Sequence, residues 1–167
     1  MNKSDVAALI HFNFWADERI LAACERVSTD EFTLLHAPDP GWGSLRSILV
    51  HTLDAEYGWR CVMQALDEDQ ILEADDFADV AALKARWDSE RAAWFQFSAG
   101  LSDERVNQDY GDDPHNGPKL WQTILHVLAH GIQHRSEAAA ILTGHGQSPG
   151  ELDFDLFLQE NPELMEN

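Results

Sequence analysis

The sequence predicts an all-α fold, a four-helix bundle, on three observations. A helical apolar pattern recurs four times along the chain. Each stretch is about 20–25 residues long, so each helix would span ~30 Å or more. Nothing between the stretches reads as a set of strands. At 167 residues, 44% of them apolar and including 6 Trp and 8 Phe, the chain suits one domain covering 1–167. A domain of that size hides roughly 70% of its unfolded surface.

The first stretch runs from about Ser4 to Val27, with Ser4 as N-cap and Val6, Leu9, Ile10, Phe14, Ile20, Leu21 and Cys24 at helical spacing. A short helical turn is expected near Thr29 to Glu31, and Pro38, Pro40, Gly41 and Gly43 then mark a loop. The second helix should start near Ser44 and end about Leu66. The third should run from Phe77 to Ala99 and close on Gly100, a natural residue for the position after a helix. Asp109 to Gly117 reads either as a loop or as a small hairpin. Pro118, at a first helical position, opens the fourth helix, which stops at Gly144. The tail from Leu152 to Leu158 offers one or two further apolar turns.

Charge excludes several function classes. With 30 acidic and 11 basic residues the net charge is −19, and the summed field repels phosphates. Neither nucleic acid nor an anionic membrane is an expected partner; a small molecule is. No tract approaches the ~18 uninterrupted apolar residues of a membrane span, and the N-terminus lacks a signal peptide's apolar middle. Cys24 and Cys61 are isolated, with no CxxC, as suits buried free thiols in a reducing compartment. A cytoplasmic location is therefore expected.

The histidines carry the chemistry. His126, His130 and His134 recur at four-residue intervals in the fourth helix. Side chains four apart share a face and can share an ion. His126 and His134 lie ~12 Å apart along the axis, too far for one ion, which leaves two candidate pairs. With Trp121 set at zero and ~100° per residue, Trp121, Ile124, Leu125, Leu128, Ile132, Ala139 and Leu142 form one apolar sector. His126 falls in the polar sector with Gln122, Gln133 and Glu137. His130 and His134 fall beyond its edge beside Val127, Ala138 and Ile141, so they are the inward pair. In the second helix His51 sits at the margin of the sector Ile48, Ala55, Trp59, Val62 and Leu66, next to the small Ala55 and Gly58. A polar ring there suits a cavity-lining ligand, and equally a hydrogen-bonded core histidine.

Other patterns say less. Gly131 stands where the HExxH of zinc proteases has its Glu. Cys61 is ~15 Å along the helix from His51, too far for the same ion. Arg135 falls in the apolar sector, and a guanidinium there needs an anion: Asp17, Asp54 or Glu56 as a structural partner, or a substrate carboxylate or thiolate. Asp54 or Glu56 could orient the free N–H of a metal-binding imidazole, although Glu56 is better read as a solvent-facing helix charge.

Three segments mark a resemblance to a known family: Asn-Phe-Trp-Ala-Asp-Glu-Arg (13–19), Ile48 to Trp59, and Leu125 to Arg135 followed by Ile-Leu-Thr-Gly-His-Gly. On them the chain resembles the DinB-like family of metal-dependent helical bundles over nearly its whole length. Members usually show H-x-x-x-H-R late in the fourth helix and a lone His in the second, which places the three metal ligands on His51, His130 and His134. Two adjacent histidines commonly precede the Arg in that family; here Gln133 replaces the first. The resemblance further implies an up-up-down-down bundle, a homodimer, and zinc or nickel at the site. It also implies S-transferase or isomerase chemistry with a low-molecular-weight thiol in some relatives.

Three functional readings follow. The first is a metal-dependent enzyme, by thiol transfer to an electrophile in first place and hydrolysis in second, with Asp54, Arg135 and His126 as candidates for supporting the ligands or binding substrate. The second is a metal-binding module without catalysis. The third is a metal-free helical protein, an interaction partner in a stress response, whose histidines make ordinary hydrogen bonds.

Overall fold

A computed structural model describes residues 1–36, 42–67, 70–109 and 117–165. The expected loop residues Pro38, Pro40 and Gly41, and most of the Asp109–Gly117 stretch, lie outside them. Among the described residues seven α-helices form: α1 (Lys3–Cys24), α2 (Thr29–Thr33), α3 (Leu45–Gln64), α4 (Val80–Ala99), α5 (Asp103–Val106), α6 (Leu120–Gly144) and α7 (Phe154–Glu160). No strand is present among the described residues; Asp109 and Lys119 make one isolated antiparallel bridge. The fold is all-α, as the apolar periodicity predicts.

The helix starts are set by local chemistry, in places a few residues from the expectation. Asn2, rather than Ser4, caps α1: its side chain accepts from the Asp5 N–H while Asp5 accepts from the Asn2 N–H. Ser28 and Glu31 form the same reciprocal pair at α2. Ser44, near which the second helix is expected to start, is the N-cap of α3. Asp79 caps α4, so that helix begins at Val80 and not Phe77, which is buried after a 3₁₀ turn at Ala74–Asp76. α6 begins at Leu120, two residues after Pro118, with Lys119 at the capping position. Gly100 stays at a right-handed φ of −84°, whereas Ala65 after α3 takes the left-handed φ of 53°.

The four long helices pack as a ring, α6 against α1 and α3, and α4 against α1 and α3. Long-range pairs give their directions. The N-terminal end of α1 meets the start of α5, with the Lys3 N–H donating to Asp103, while Lys84 near the start of α4 pairs with Glu25 after α1. Helices α1 and α4 are therefore antiparallel. His145 at the end of α6 reaches Glu31 in α2, so α6 runs with α1; Arg105 of α5 donates to the Met63 carbonyl, so the C-terminal ends of α3 and α4 lie together. In chain order the four long helices therefore run up-down-down-up, not the up-up-down-down that the resemblance implies, because the α2 connection returns the chain to start α3 beside the end of α1. Ile20, Leu49, Leu53, Leu83, Trp94, Leu120 and Leu142 fill the centre. A smaller cluster of Phe12, Leu128 and Phe157 seats α7, whose Glu160 binds Arg19 and Trp15.

The core faces of α3 and α6 are not the sectors that periodicity singles out. Val62, Leu66, Leu125 and Ile132 are 50%, 51%, 41% and 46% exposed. The buried stripe of α6 is Leu120, Thr123, Ile124, Val127, Leu128, Gly131, His134, Arg135, Ala138 and Leu142. Its centre lies about a quarter turn from Trp121. Both helices carry apolar residues on two sides, and the packing partners α1 and α4 decide which side is inside. The rotation puts His134 within the core stripe, half-buries His130 at its edge and exposes His126, so the inward pair is the one expected.

Candidate metal centre

The ring places α3 and α6 side by side, and His51 faces His130 and His134 across the groove between them. The Nε2 of His130 lies 3.1 Å from the Nε2 of His51 and 3.1 Å from the Nε2 of His134. One ligand atom from each of the three lies within 4.8 Å of the others. Two nitrogens bound tetrahedrally to one zinc at ~2.0–2.1 Å stand about 3.3 Å apart, so the two 3.1 Å separations match a shared ion. Three imidazoles are a donor set that could hold a divalent cation.

Protonation favours ligation. Burial, then the neighbouring His134, His51 and His126, push the His130 imidazole down to about 4. Burial, then His134, lowers His51 as well. Both rings are therefore neutral at pH 7 with lone pairs free. The tautomer of His134 follows from its hydrogen bond: Nδ1 donates to Oε2 of Glu137 at 2.8 Å, which leaves the lone pair on Nε2, the atom facing the cluster. Glu137 is a site residue that sequence reasoning passed over as polar surface. Its signal was the i, i+3 spacing in His-Arg-Ser-Glu.

The other candidates fall elsewhere. Asp54 Oδ1 accepts the backbone N–H of Leu72 at 2.8 Å, so that carboxylate pins the α3–α4 connection. His126 is exposed, its ring 5.3 Å from Trp59 and 6.3 Å from His130, outside the convergence point. Arg135 is 3% exposed and points into the bundle, where Nη1 donates to Asp17 at 2.8 Å and to Asn13 at 2.9 Å. Its anion is structural. Glu56 is 1% exposed, not the solvent-facing charge expected, and accepts from Asn13. Cys24 is buried, which raises its thiol to about 12, and Cys61 is buried too.

Asn13, Asp17, Glu56 and Arg135 thus form one buried polar cluster drawn from α1, α3 and α6. Two carboxyls face one guanidinium, so neutrality requires one proton. Burial, then the charge of Asp17, raises the Glu56 carboxyl well above the usual carboxylate range, and burial raises Asp17. Glu56 therefore carries the proton, and the Asp17–Arg135 pair stays ionised. Gly131 makes room for this cluster. A Cβ there would stand 2.7 Å from Nη1 of Arg135 and 3.0 Å from Oδ1 of Asn13. Since Gly131 and Arg135 alternate with His130 and His134 on α6, the cluster fixes the height and rotation of the two ligands against α1 and α3.

The cluster explains the three segments that mark the family. Asn13 and Asp17 come from the first, His51 and Glu56 from the second, and His130, Gly131, His134 and Arg135 from the third. No curated protein matches the sequence. Among solved structures the chain is similar to a conserved protein from Enterococcus faecalis, at TM-score 0.65 and 12% identity over 85% of this chain and 96% of that one, a likeness of fold. The family comparison matches the DinB family over residues 1–165. A match over almost the whole length, on a helical bundle with this fold, places the chain in the DinB family.

Proposed function

We propose that His51, His130 and His134 hold a divalent metal, zinc or nickel, and that the protein is a metal-dependent enzyme acting on a small molecule. The observation that carries this reading is the meeting of three imidazole nitrogens from two helices at one point. A divalent cation on three neutral ligands keeps its charge and an open position, and acidifies a thiol or water brought there. Thiol transfer to an electrophile is the favoured reaction and hydrolysis the second, because neutral ligands leave the cation's charge for an incoming anionic thiolate.

The chain's own residues supply placement. Glu137 fixes the tautomer of His134, the Asn13–Asp17–Glu56–Arg135 cluster holds α6 in register, and the net charge of −19 favours cation capture while opposing polyanionic partners. Exposed Val62, Leu66, Leu125 and Ile132 support the homodimer that the family resemblance implies. No described helix is long and apolar enough to cross a membrane.

The test is elemental analysis of protein purified without a His tag, followed by a screen of common bacterial thiols with electrophiles. Turnover that chelation and His130→Ala both abolish supports the proposal. Bound metal with equal rates in wild type and His130→Ala removes the catalytic claim and leaves a metal-binding module. Less than about a tenth of an equivalent of metal removes the metal as well.

A further inference from the structure

The planes of two ligand rings are fixed by different means. His134 is held by the carboxylate of Glu137. Among the described residues, no oxygen accepts a hydrogen bond from His51. Its imidazole instead lies flat against the indole of Trp42, with centroids 3.7 Å apart and planes at 15°. The same indole meets His134 edge-on, at 6.4 Å and 80°. Trp42 therefore covers one side of the convergence point and touches two of the three ligands.

This indole is 44% exposed, so burial alone does not explain its place. The backbone around it is built to hold it there. Gly43 has φ of +82°, a left-handed conformation suited to glycine, and its carbonyl accepts the His36 N–H at 2.8 Å. The Ser44 N–H donates to the Trp42 carbonyl at 3.0 Å, and Ser44 caps α3, the helix that carries His51. The stacking partner thus sits two residues before the N-cap of the ligand's own helix, tied to that cap by the Ser44 N–H.

Resting on the metal reading above, we infer that Trp42 is a positioning residue for His51. Its indole holds the imidazole plane so that Nε2 stays aimed at the shared point, the task that Glu137 performs for His134 through a hydrogen bond. A free imidazole rotates about two side-chain torsions; a stacked one is limited to sliding in its plane. Removing a group that orients a metal ligand typically costs 10–100-fold in metal affinity.

The experiment is a cobalt(II) titration of wild type, Trp42→Ala and Trp42→Phe, read by visible absorption, beside thermal melts of the metal-free proteins. The expected result is Trp42→Ala binding at least about tenfold more weakly, with an altered cobalt spectrum and a metal-free Tm close to wild type. Trp42→Phe, which keeps a ring on the imidazole, recovers most of the affinity. Equal affinity in Trp42→Ala and wild type overturns the inference, as does a Phe variant no better than Ala. Failure of wild type to bind cobalt overturns the metal reading itself, a separate outcome. Should the Ala variant not fold, proton NMR of wild type decides: His51 ring resonances shifted upfield by the indole support the stack, and unshifted ones refute it.

Discussion

Replacing Gly131 by Ala tests the buried cluster with an effect whose sign the structure reverses. In a helix interior this change normally stabilises, by about 1 kcal/mol. Here the new methyl would lie 2.7 Å from Nη1 of Arg135. That nitrogen ends a flexible side chain and on a surface would swing away. At 3% exposure, and donating to both Asp17 and Asn13, Arg135 has nowhere to swing. A partial retreat forfeits a charge-assisted hydrogen bond, about 1.5–3 kcal/mol, and full separation of the buried pair costs about 3–5 kcal/mol. Against the helix gain of ~1 kcal/mol, the net loss is roughly 0.5–2 kcal/mol for a partial retreat and roughly 2–4 kcal/mol for full separation. For a chain of this size that lowers Tm by about 1–8 °C or about 4–16 °C respectively. The assay is thermal melting by circular dichroism in excess chelator, so that metal does not mask the change. The same substitution made in an Arg135→Ala background meets no guanidinium, only Oδ1 of Asn13 at 3.0 Å, and should lower Tm far less or raise it, giving a coupling at or above the upper end of the ~0.5–3 kcal/mol seen between contacting residues. An unchanged or raised Tm in the wild-type background, or the same penalty in both, would refute the cluster as a rigid spacer.

Two further outcomes follow from the same geometry. A carboxyl raised by burial gives its full stability below the unfolded value of 4.5 and loses it as pH climbs toward the folded one. Melting curves of wild type and Glu56→Gln, which mimics the protonated acid, should therefore converge near pH 4–5, with the Gln variant the more stable at pH 8; parallel curves would remove the proton from Glu56. Glu137→Ala frees the Nδ1 of His134, so metal affinity measured by chelator competition should fall about 10–100-fold while the metal-free Tm moves little. Unchanged affinity would mean that the carboxylate does not set the tautomer.

Much of the candidate site was legible because it rests on local spacing. His130 and His134 are four apart, and any helix puts them on one side. The reciprocal caps at Asn2–Asp5 and Ser28–Glu31 use the i, i+3 relation in the same way, although Ser4 drew attention from Asn2. The Glu137 partner of His134 obeyed that rule too and was legible in principle; a charged residue in a polar sector simply does not announce a buried bond.

What the sequence by itself determined was the number and length of the long helices, the absence of strands among the described residues, and which histidines could share an ion. Tertiary structure alone decided which side of α3 and α6 faces inward and where the buried charges sit. Periodicity reports that a helix is amphipathic only when one side is apolar. α3 and α6 are apolar on two, with Val62, Leu66, Leu125 and Ile132 left outside, and the choice belongs to the helices packed against them. Glu56 read by itself as surface charge, because burying one carboxylate alone costs several kcal/mol, and Arg135, inside by its phase, left Asp17, Asp54 and Glu56 open as its partner. Asp17, Glu56 and Arg135 are inside together, since three helices bring two carboxyls, a proton and a guanidinium to one place, and no single helix carries that information.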